Sequence, residues 1–316
     1  MSTESAPSSS SRPVDPSSNM RLQMASPSSG GTRTSTSNQE RISLHPIAEC
    51  LQRLNATLLG VGIHLRARLN ASPMSSRCLR IAHRGASGHA PEHTRSAFEL
   101  ALELGAEMIE LDVQLSADDA LVVFHDAHVE RTTNGTGRVR ELTLEQLRSL
   151  DAGSWFHPRF AGERILTLDE VLELVRGRAL LNVEIKSPRA DGSVLIPRLV
   201  EVLERYNAIE TTVVSAFDWW LLGDVRQAHP TMRLGLLWSD PLIPWPWDRA
   251  EKIGATHLHP FWAVVNRKDL EQAHAHGLWV NAWTVNDPPT MVELVEMGVD
   301  GIISDFPDRL ALLGQG

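Results

Sequence analysis

Seven side chains of this sequence, each within or directly after a short apolar run, could together cleave a phosphoester. Three carboxylates form a hard oxygen site of the kind that binds Mg²⁺ or Ca²⁺ and leaves positions open for substrate oxygens. An arginine and a lysine are fixed cations suited to the oxygens of a phosphate. Two histidines carry the side chain best matched to proton transfer near neutral pH, so one could accept a proton while the other donates one to a leaving oxygen. The set is Glu110, Asp112 and Glu184, then Arg84 and Lys186, then His83 and His125.

The spacing of these residues predicts which of them share a face. Glu110 and Asp112 are two residues apart, as are Glu184 and Lys186. On a strand, side chains two apart point to the same side, so each pair is expected on one face.

The segment between residues 113 and 121 is too short for a helical crossover. It therefore predicts an antiparallel hairpin with its turn near Asp118 and Asp119. In that hairpin, His125 lies opposite Leu111, so a histidine would meet the two carboxylates.

The elements that must position these residues alternate between strand-like and helix-like stretches from residue 78 onward. Thr143 and Thr167 each begin a capping-box sequence, Asp287 followed by Pro288 is typical of a helix start, and Thr94 is expected to cap the helix after the first run. Alternation over about 240 residues predicts a (β/α)8 TIM barrel, in which strand carboxyl ends meet at one rim and build the active site. The strand-like runs are 79–82, 108–113, 121–124, 180–185, 212–217, 233–238, 255–260, 278–285 and 301–304.

The domain organisation follows from shifts in composition. Residues 1–42 are rich in Ser, Thr, Pro and Gly, which predicts a disordered tail. Residues 43–77 are predicted to form an amphipathic helical lead-in, with apolar residues at helical spacing in 47–69. Residues 78–316 form the predicted barrel, with an insertion at about 126–165.

Composition excludes several classes of protein. A formal net charge of -9 and no Lys/Arg-rich run argue against a nucleic-acid partner. The two cysteines, Cys50 and Cys78, form no C-x-x-C motif, so neither a disulfide framework nor a zinc site is predicted. No signal peptide or transmembrane segment is legible, so the expected location is the cytoplasm. The oligomeric state is not predicted.

Motifs in a fixed order carry a resemblance to a known family. They are HRG at 83–85, P-E-x-T at 91–94, E-x-D at 110–112, H-D at 125–126, R-T-T-N-G-T-G at 131–137, V-E-I-K at 183–186 and N-A-W-T-V-N at 281–286. Over about residues 79–309 the chain resembles the glycerophosphodiester phosphodiesterase family.

The resemblance implies hydrolysis of glycerophosphodiesters to sn-glycerol 3-phosphate and an alcohol. It makes His83 and His125 the acid/base pair, and Arg84 and Lys186 the phosphate contacts. It makes three carboxylates the ligands of one divalent cation, expected to be Mg²⁺ or Ca²⁺, with Mn²⁺ as an alternative. These ligands are Glu110, Asp112 and Glu184. Internal attack through a cyclic phosphate and direct attack by water both stay open, as does the assignment of acid and base.

Other residues carry weaker signals. The family tetrad P-E-N-T reads P-E-H-T here, and His93 is expected to be a solvated loop residue. His257 and His259 are expected to serve packing and hydrogen bonding. Trp283, within N-A-W-T-V-N, is predicted to form a wall that faces the substrate.

Alternative interpretations stay open. The first is a lysophospholipase D-like enzyme, with residues 47–69 and the Trp-rich tract 241–247 as membrane-surface elements or an apolar lid. For the tract itself, a packed loop is the other interpretation. The second alternative is a catalytically inactive phosphate-binding barrel. The complete set of histidines, carboxylates and cations favours catalysis.

Overall fold

The computed structural model describes residues 77–242 and 245–311, and in this part of the chain eight parallel strands close a barrel. A ninth strand, β3, pairs antiparallel with β2 outside the ring. The predicted TIM barrel is confirmed. The strands are β1 (Leu79–His83), β2 (Met108–Leu115), β3 (Leu121–Val123), β4 (Leu180–Ile185), β5 (Thr212–Ala216), β6 (Arg233–Trp238), β7 (His257–Pro260), β8 (Trp279–Ala282) and β9 (Gly301–Ser304). The predicted tail at 1–42 and the lead-in at 43–77 lie outside the described residues up to position 76.

Helices cover the outside of the barrel, and local sequence signals set their starts. Thr143 and Thr167 each form the predicted capping box, and Thr94 and Asp287 accept hydrogen bonds from the first turns of their helices. The α-helices are α1 (Arg95–Glu103), α2 (Leu144–Arg148), α3 (Leu168–Val175), α4 (Gly192–Arg205), α5 (Trp219–Ala228), α6 (Trp247–Lys252), α7 (Arg267–Ala275), α8 (Pro288–Met297) and α9 (Pro307–Ala311). Short 3₁₀ helices are Val139–Glu141, Pro158–Phe160, Arg189–Asp191, Ile209–Thr211 and Trp262–Val264. None of the helices in the described ranges is long and apolar enough to cross a membrane.

The segment between β3 and α3 is the predicted insertion, and it has a hydrophobic cluster of its own. Its members are Val122, Phe124, Val129, Val139, Leu147, Ala152 and Ile165. This cluster is separate from the main hydrophobic core of the barrel.

An apolar cluster fills part of the barrel interior. It consists of Leu79, Ile81, Met108, Leu180, Val213 and Ile303. These side chains are at most 3% exposed, so the interior is packed rather than open. Polar side chains are buried in the barrel as well, among them Asn182, His259 and Asn281.

Candidate active site

Three neighbouring strands bring the predicted site residues to the carboxyl-end rim. His83 on β1 pairs with Glu110 on β2, and Asp112 on β2 pairs with Glu184 on β4. The period-two prediction is therefore confirmed for these strands. The hairpin register is confirmed as well, because Val113 lies opposite Val123 and the chain returns to His125 two residues later.

The three carboxylates form one compact and buried cluster. An oxygen from each of Glu110, Asp112 and Glu184 lies within 4.8 Å of an oxygen from the others, and the residues are 3%, 1% and 7% exposed. Neither carboxylate oxygen of Asp112 accepts a hydrogen bond from the described residues. Because buried negative charges need a compensating partner, this donor set fits a divalent cation that prefers oxygen ligands.

Two cations lie directly against the cluster. Lys186 Nζ is 2.5 Å from a Glu184 oxygen and 3.4 Å from an Asp112 oxygen. Arg84 Nε is 3.3 Å from Asp112, and its Nη1 donates to Glu92 at 2.9 Å. The ion pair of Glu184 with Lys186 is thus present, and it is part of the larger cluster.

Burial and mutual repulsion shift the acidity of the carboxylates. Burial, with the nearby charge of Asp112, raises the pKa of Glu184 to about 7, and the same two causes raise the pKa of Glu110. For Asp112, burial acts in the opposite direction, but His93, Lys186 and Arg84 outweigh it and lower its pKa. Without a cation, the cluster is therefore strained when all three groups are ionised.

This strain makes the stability of metal-free protein depend on pH. The pKa of Glu184 is raised by folding, so its contribution to stability is complete below its ordinary value of 4.5 and is lost as pH rises through about 7. Glu184→Gln should remove this loss and, above pH 7, raise the free energy of unfolding relative to wild type by on the order of 1–3 kcal/mol. The measurement is urea unfolding in EDTA at several pH values, with the exposed Glu99→Gln as control. Parallel pH profiles for wild type and Glu184→Gln would contradict it.

His83 is held by a carboxylate from the far end of the chain. Its Nδ1 lies 2.6 Å from an Asp305 oxygen, and Nε2 lies 3.9 Å from Glu110. Asp305 in turn accepts hydrogen bonds from Ser87 at 2.9 Å and Asn286 at 2.6 Å. The carboxylate therefore fixes the ring so that Nε2 faces the carboxylate cluster.

His125 has a matching arrangement on the other side of the site. Its Nδ1 lies 2.6 Å from Asp126, which also accepts from Arg131 at 2.5 Å. Arg131 donates to both oxygens of Glu92, the partner of Arg84. Burial lowers the pKa of His125, and the charge of Asp112 partly offsets this. A continuous polar network thus joins the second histidine to the arginine beside the cluster.

The HRG segment needs its glycine for close packing. Arg84 has φ of 56° and Gly85 has φ of 84°. A Cβ on Gly85 would lie 2.7 Å from the backbone of Ala97 in α1. Glycine therefore lets the chain turn tightly after β1, and the turn directs Arg84 back over the carboxylates.

The expectation of a solvated His93 is wrong. His93 is 4% exposed, and its Nε2 lies 3.2 Å from both the Asp112 backbone nitrogen, whose N–H it accepts, and an Asp112 carboxylate oxygen. Its backbone, with φ of 61°, turns the side chain inward. Burial lowers the pKa of His93, and Asp112 partly offsets this effect.

Aromatic side chains line another side of the rim. Trp283 follows β8, and its Nε1 donates to the backbone oxygen of His259 at 2.6 Å. Its ring centroid is 5.7 Å from that of Phe217 and 5.6 Å from that of Phe261. Lys186 Nζ lies 5.9 Å from the centroid of Phe217. The aromatic wall, defined as Phe217, Phe261 and Trp283, therefore begins beside a cation of the carboxylate cluster.

Three other predicted residues pack inside the protein. Trp245 is 7% exposed, and its ring centroid lies 5.4 Å from that of Trp247, which stacks on His276. This end of the tract 241–247 is therefore packed. His257 and His259 are 2% and 0% exposed, which agrees with the packing expected for them. His259 Nε2 lies 3.2 Å from the Asn281 amide nitrogen.

Several residues of the site had no role in the sequence prediction. Asp126 and Arg131 lie within quoted motifs, but no spacing rule linked them to His125 or to Glu92. Asp305 is separated from His83 by 222 positions, and the only local signal is its place directly after a strand-like run. Phe217 is the last residue of a predicted strand-like run and received no role there.

Comparison with known proteins agrees with this arrangement. Residues 83–309 match the sequence model of the glycerophosphoryl diester phosphodiesterase family. A glycerophosphodiester phosphodiesterase of Caldanaerobacter subterraneus subsp. tengcongensis is 44% identical over 239 residues, which are 74% of this chain and 96% of the relative. One of Bacillus subtilis is 34% identical over 257 residues, which are 76% of this chain and 87% of the relative.

A solved structure shows the same relationship. The phosphodiesterase of Oleispira antarctica in complex with the product sn-glycerol-3-phosphate has 31% sequence identity and a TM-score of 0.71. The match covers 75% of this chain and 96% of that one. Sequence, fold and the order of the motifs lead to one conclusion: this chain belongs to the glycerophosphoryl diester phosphodiesterase family.

Proposed function

We propose that this protein hydrolyses glycerophosphodiesters to sn-glycerol 3-phosphate and an alcohol, with a divalent cation as cofactor. The observation that carries the proposal is a buried cluster of three carboxylates beside a histidine whose Nδ1 is held by its own carboxylate, with a second such histidine close by. The relatives named as glycerophosphodiester phosphodiesterases support the same reaction.

The protein's own residues would bind the phosphate and transfer the protons. Arg84 and Lys186 would bind the non-bridging oxygens of the phosphate, where their charges oppose the negative charge that grows in the transition state. One of His83 and His125 would accept a proton at Nε2 from the attacking hydroxyl, which belongs either to the glycerol or to water. The other would donate a proton from Nε2 to the departing alcohol oxygen as the phosphorus–oxygen bond breaks. After attack by the glycerol hydroxyl, water would then open the cyclic phosphate to give sn-glycerol 3-phosphate.

Orientation of the two rings would come from their carboxylate partners. Asp305 and Asp126 each lie 2.6 Å from an Nδ1, so each favours the tautomer with its proton on that nitrogen. With Nδ1 occupied, Nε2 is the nitrogen left for proton transfer in both histidines. The protein would thus hold the pair ready for acid and base roles before substrate binds.

The residues that would hold the cation are Glu110, Asp112 and Glu184. When bound there, Mg²⁺, Ca²⁺ or Mn²⁺ would act as a Lewis acid that withdraws negative charge from phosphate and hydroxyl oxygens. Ionised oxygens grouped within 4.8 Å are suited to each of these ions.

Product identity tests the proposed reaction. Incubation of the full chain with glycerophosphocholine and Mg²⁺, Ca²⁺ or Mn²⁺ should give glycerol 3-phosphate and choline, which phosphorus NMR distinguishes from phosphocholine and glycerol. His83→Ala, treated in the same way, should leave the substrate intact. Release of phosphocholine, or no hydrolysis with any of the three ions, would contradict the proposal.

A lysophospholipase D-like activity is the second candidate, and one observation favours it. The aromatic wall, with Phe217 49% exposed, would give an acyl chain on the glycerol side of a lysolipid an apolar neighbour. Lysophosphatidylcholine should then be cleaved to choline as well. Comparing its rate with that of glycerophosphocholine, for wild type and for Phe217→Ala, separates the candidates, because only a lipid substrate should lose rate when the apolar surface is reduced.

A further inference from the structure

Large apolar side chains are exposed on the loops that follow three successive barrel strands. Trp220, at the start of α5 after β5, is 55% exposed. Leu242, after β6, is 91% exposed, and Trp262, after β7, is 37% exposed. In a parallel barrel all of these loops lie at the carboxyl-end rim, where the candidate active site is. These three residues are called the rim patch below.

The rim patch continues from the aromatic wall. The ring of Trp262 is 5.6 Å from that of Phe261, and its backbone nitrogen donates to the oxygen of Trp283 at 2.9 Å. On the other side, Trp220 lies in the same short segment as Phe217 and packs on Trp219 with centroids 4.0 Å apart. The aromatic wall therefore extends to Trp262 by direct contact, and Trp220 lies three residues after Phe217.

We propose that the rim patch docks on the surface of a zwitterionic lipid bilayer, with the mouth of the active site facing the lipid. Tryptophan and leucine are side chains that insert into the boundary between headgroups and acyl chains. Docking in this orientation would bring diesters at a membrane surface directly to the carboxylate cluster. The inference goes beyond hydrolysis of a soluble diester and does not depend on it.

The charge of the protein argues for a zwitterionic surface. The formal net charge is -9, so an anionic bilayer would repel the chain. Arg189 packs 5.6 Å from the ring centroid of Trp220, and its guanidinium donates to both oxygens of Asp224. This ion pair compensates the charge of Arg189, so apolar insertion, and not this cation, must supply the attraction at Trp220.

The geometry favours a lipid surface over a second copy of the chain. The three side chains stand on separate loops, after β5, β6 and β7. A two-fold dimer formed through these side chains would place the two active-site openings against each other and block both from substrate. A bilayer accepts separate insertions and leaves the mouth in contact with substrate.

One docking residue, Leu242, belongs to the tract 241–247 that the sequence suggested, whereas Trp220 and Trp262 do not. Within that tract Trp245 is buried and Trp247 is partly buried. Residues 47–69 lie outside the described residues, so the experiment keeps them in every variant.

Sedimentation with phosphatidylcholine vesicles tests the proposal on the full chain. The triple variant Trp220→Ala, Leu242→Ala, Trp262→Ala should lower the vesicle partition coefficient by about tenfold or more, while Trp155→Ala, which removes a 40% exposed indole from the insertion, should not. Vesicles of phosphatidylglycerol should bind wild type more weakly than phosphatidylcholine does. Leu242→Asp, at a side chain that is 91% exposed, serves as a second variant if the triple variant fails to fold.

Two results would overturn the docking surface: wild type that does not sediment with phosphatidylcholine vesicles, or variants that sediment as well as wild type does. Hydrolysis of soluble glycerophosphocholine is measured on the same proteins and should stay close to wild type in the triple variant. Because binding and hydrolysis are read separately, a failure of docking is distinguishable from a failure of the proposed reaction.

Discussion

Replacing His83 with alanine is expected to lower kcat for glycerophosphocholine hydrolysis by about 10²- to 10⁴-fold, because one of the two proton transfers loses its group. His125→Ala should have an effect of similar size. Steady-state release of glycerol 3-phosphate measures both, with circular dichroism to verify folding. Since the two imidazoles act in one reaction, the double variant should lose less than the product of the two single losses.

A matched histidine on the same loop provides the control. His89 also lies beside a carboxylate, with Nε2 2.8 Å from Asp308, but it is 38% exposed and lies outside the carboxylate cluster. His89→Ala should keep near wild-type turnover. Folded His83→Ala or His125→Ala with near wild-type turnover would show that the acid/base assignment is wrong.

Asp305→Asn should produce the second large effect, although Asp305 itself is not a proton donor in the proposed reaction. An asparagine amide can donate to Nδ1 of His83, which favours the tautomer with its proton on Nε2. This nitrogen, which accepts in the neutral wild-type ring, would then donate instead. We expect kcat to fall by about 10²-fold or more, as a disrupted carboxylate–histidine pair does in other hydrolases. Because Asp305 acts through His83, the variant should change kcat and its pH profile more than KM.

Asp308→Asn is the matched control for that variant. Asp308 is the carboxylate partner of His89, and its side chain is 40% exposed. The substitution should leave both kcat and the pH profile unchanged. Asp126→Asn tests the corresponding role at His125, where Arg131 also loses a charged partner. An Asp305→Asn enzyme with the kcat and pH profile of wild type would contradict the positioning role.

Residues linked by short-range rules were predictable from the sequence. The pairing of Glu110 with Asp112 needs only the period of a strand, and the return of His125 needs only a connection too short for a helix. The capping boxes at Thr143 and Thr167 are equally local. Each of these predictions depends on geometry within a dozen residues, which is why the structure confirms them.

Residues linked by the closed barrel were not predictable in the same way. Asp305 reaches His83 only because β9 closes the barrel against β1. His93 turns inward because its backbone adopts a positive φ, which no side-chain pattern indicates. The exposure of Trp220 and the burial of Trp245 depend on which loop packs against which helix, and the local sequence does not determine this packing.

The most direct test of the account is metal-dependent release of glycerol 3-phosphate. EDTA-stripped protein should be inactive on glycerophosphocholine, and Mg²⁺, Ca²⁺ or Mn²⁺ should restore turnover in wild type. The same additions should not restore Glu110→Gln, whereas Glu99→Gln, an exposed substitution on α1, should recover with wild type. Full activity in stripped wild type, or in Glu110→Gln, would contradict a reaction that depends on a cation held by the three buried carboxylates.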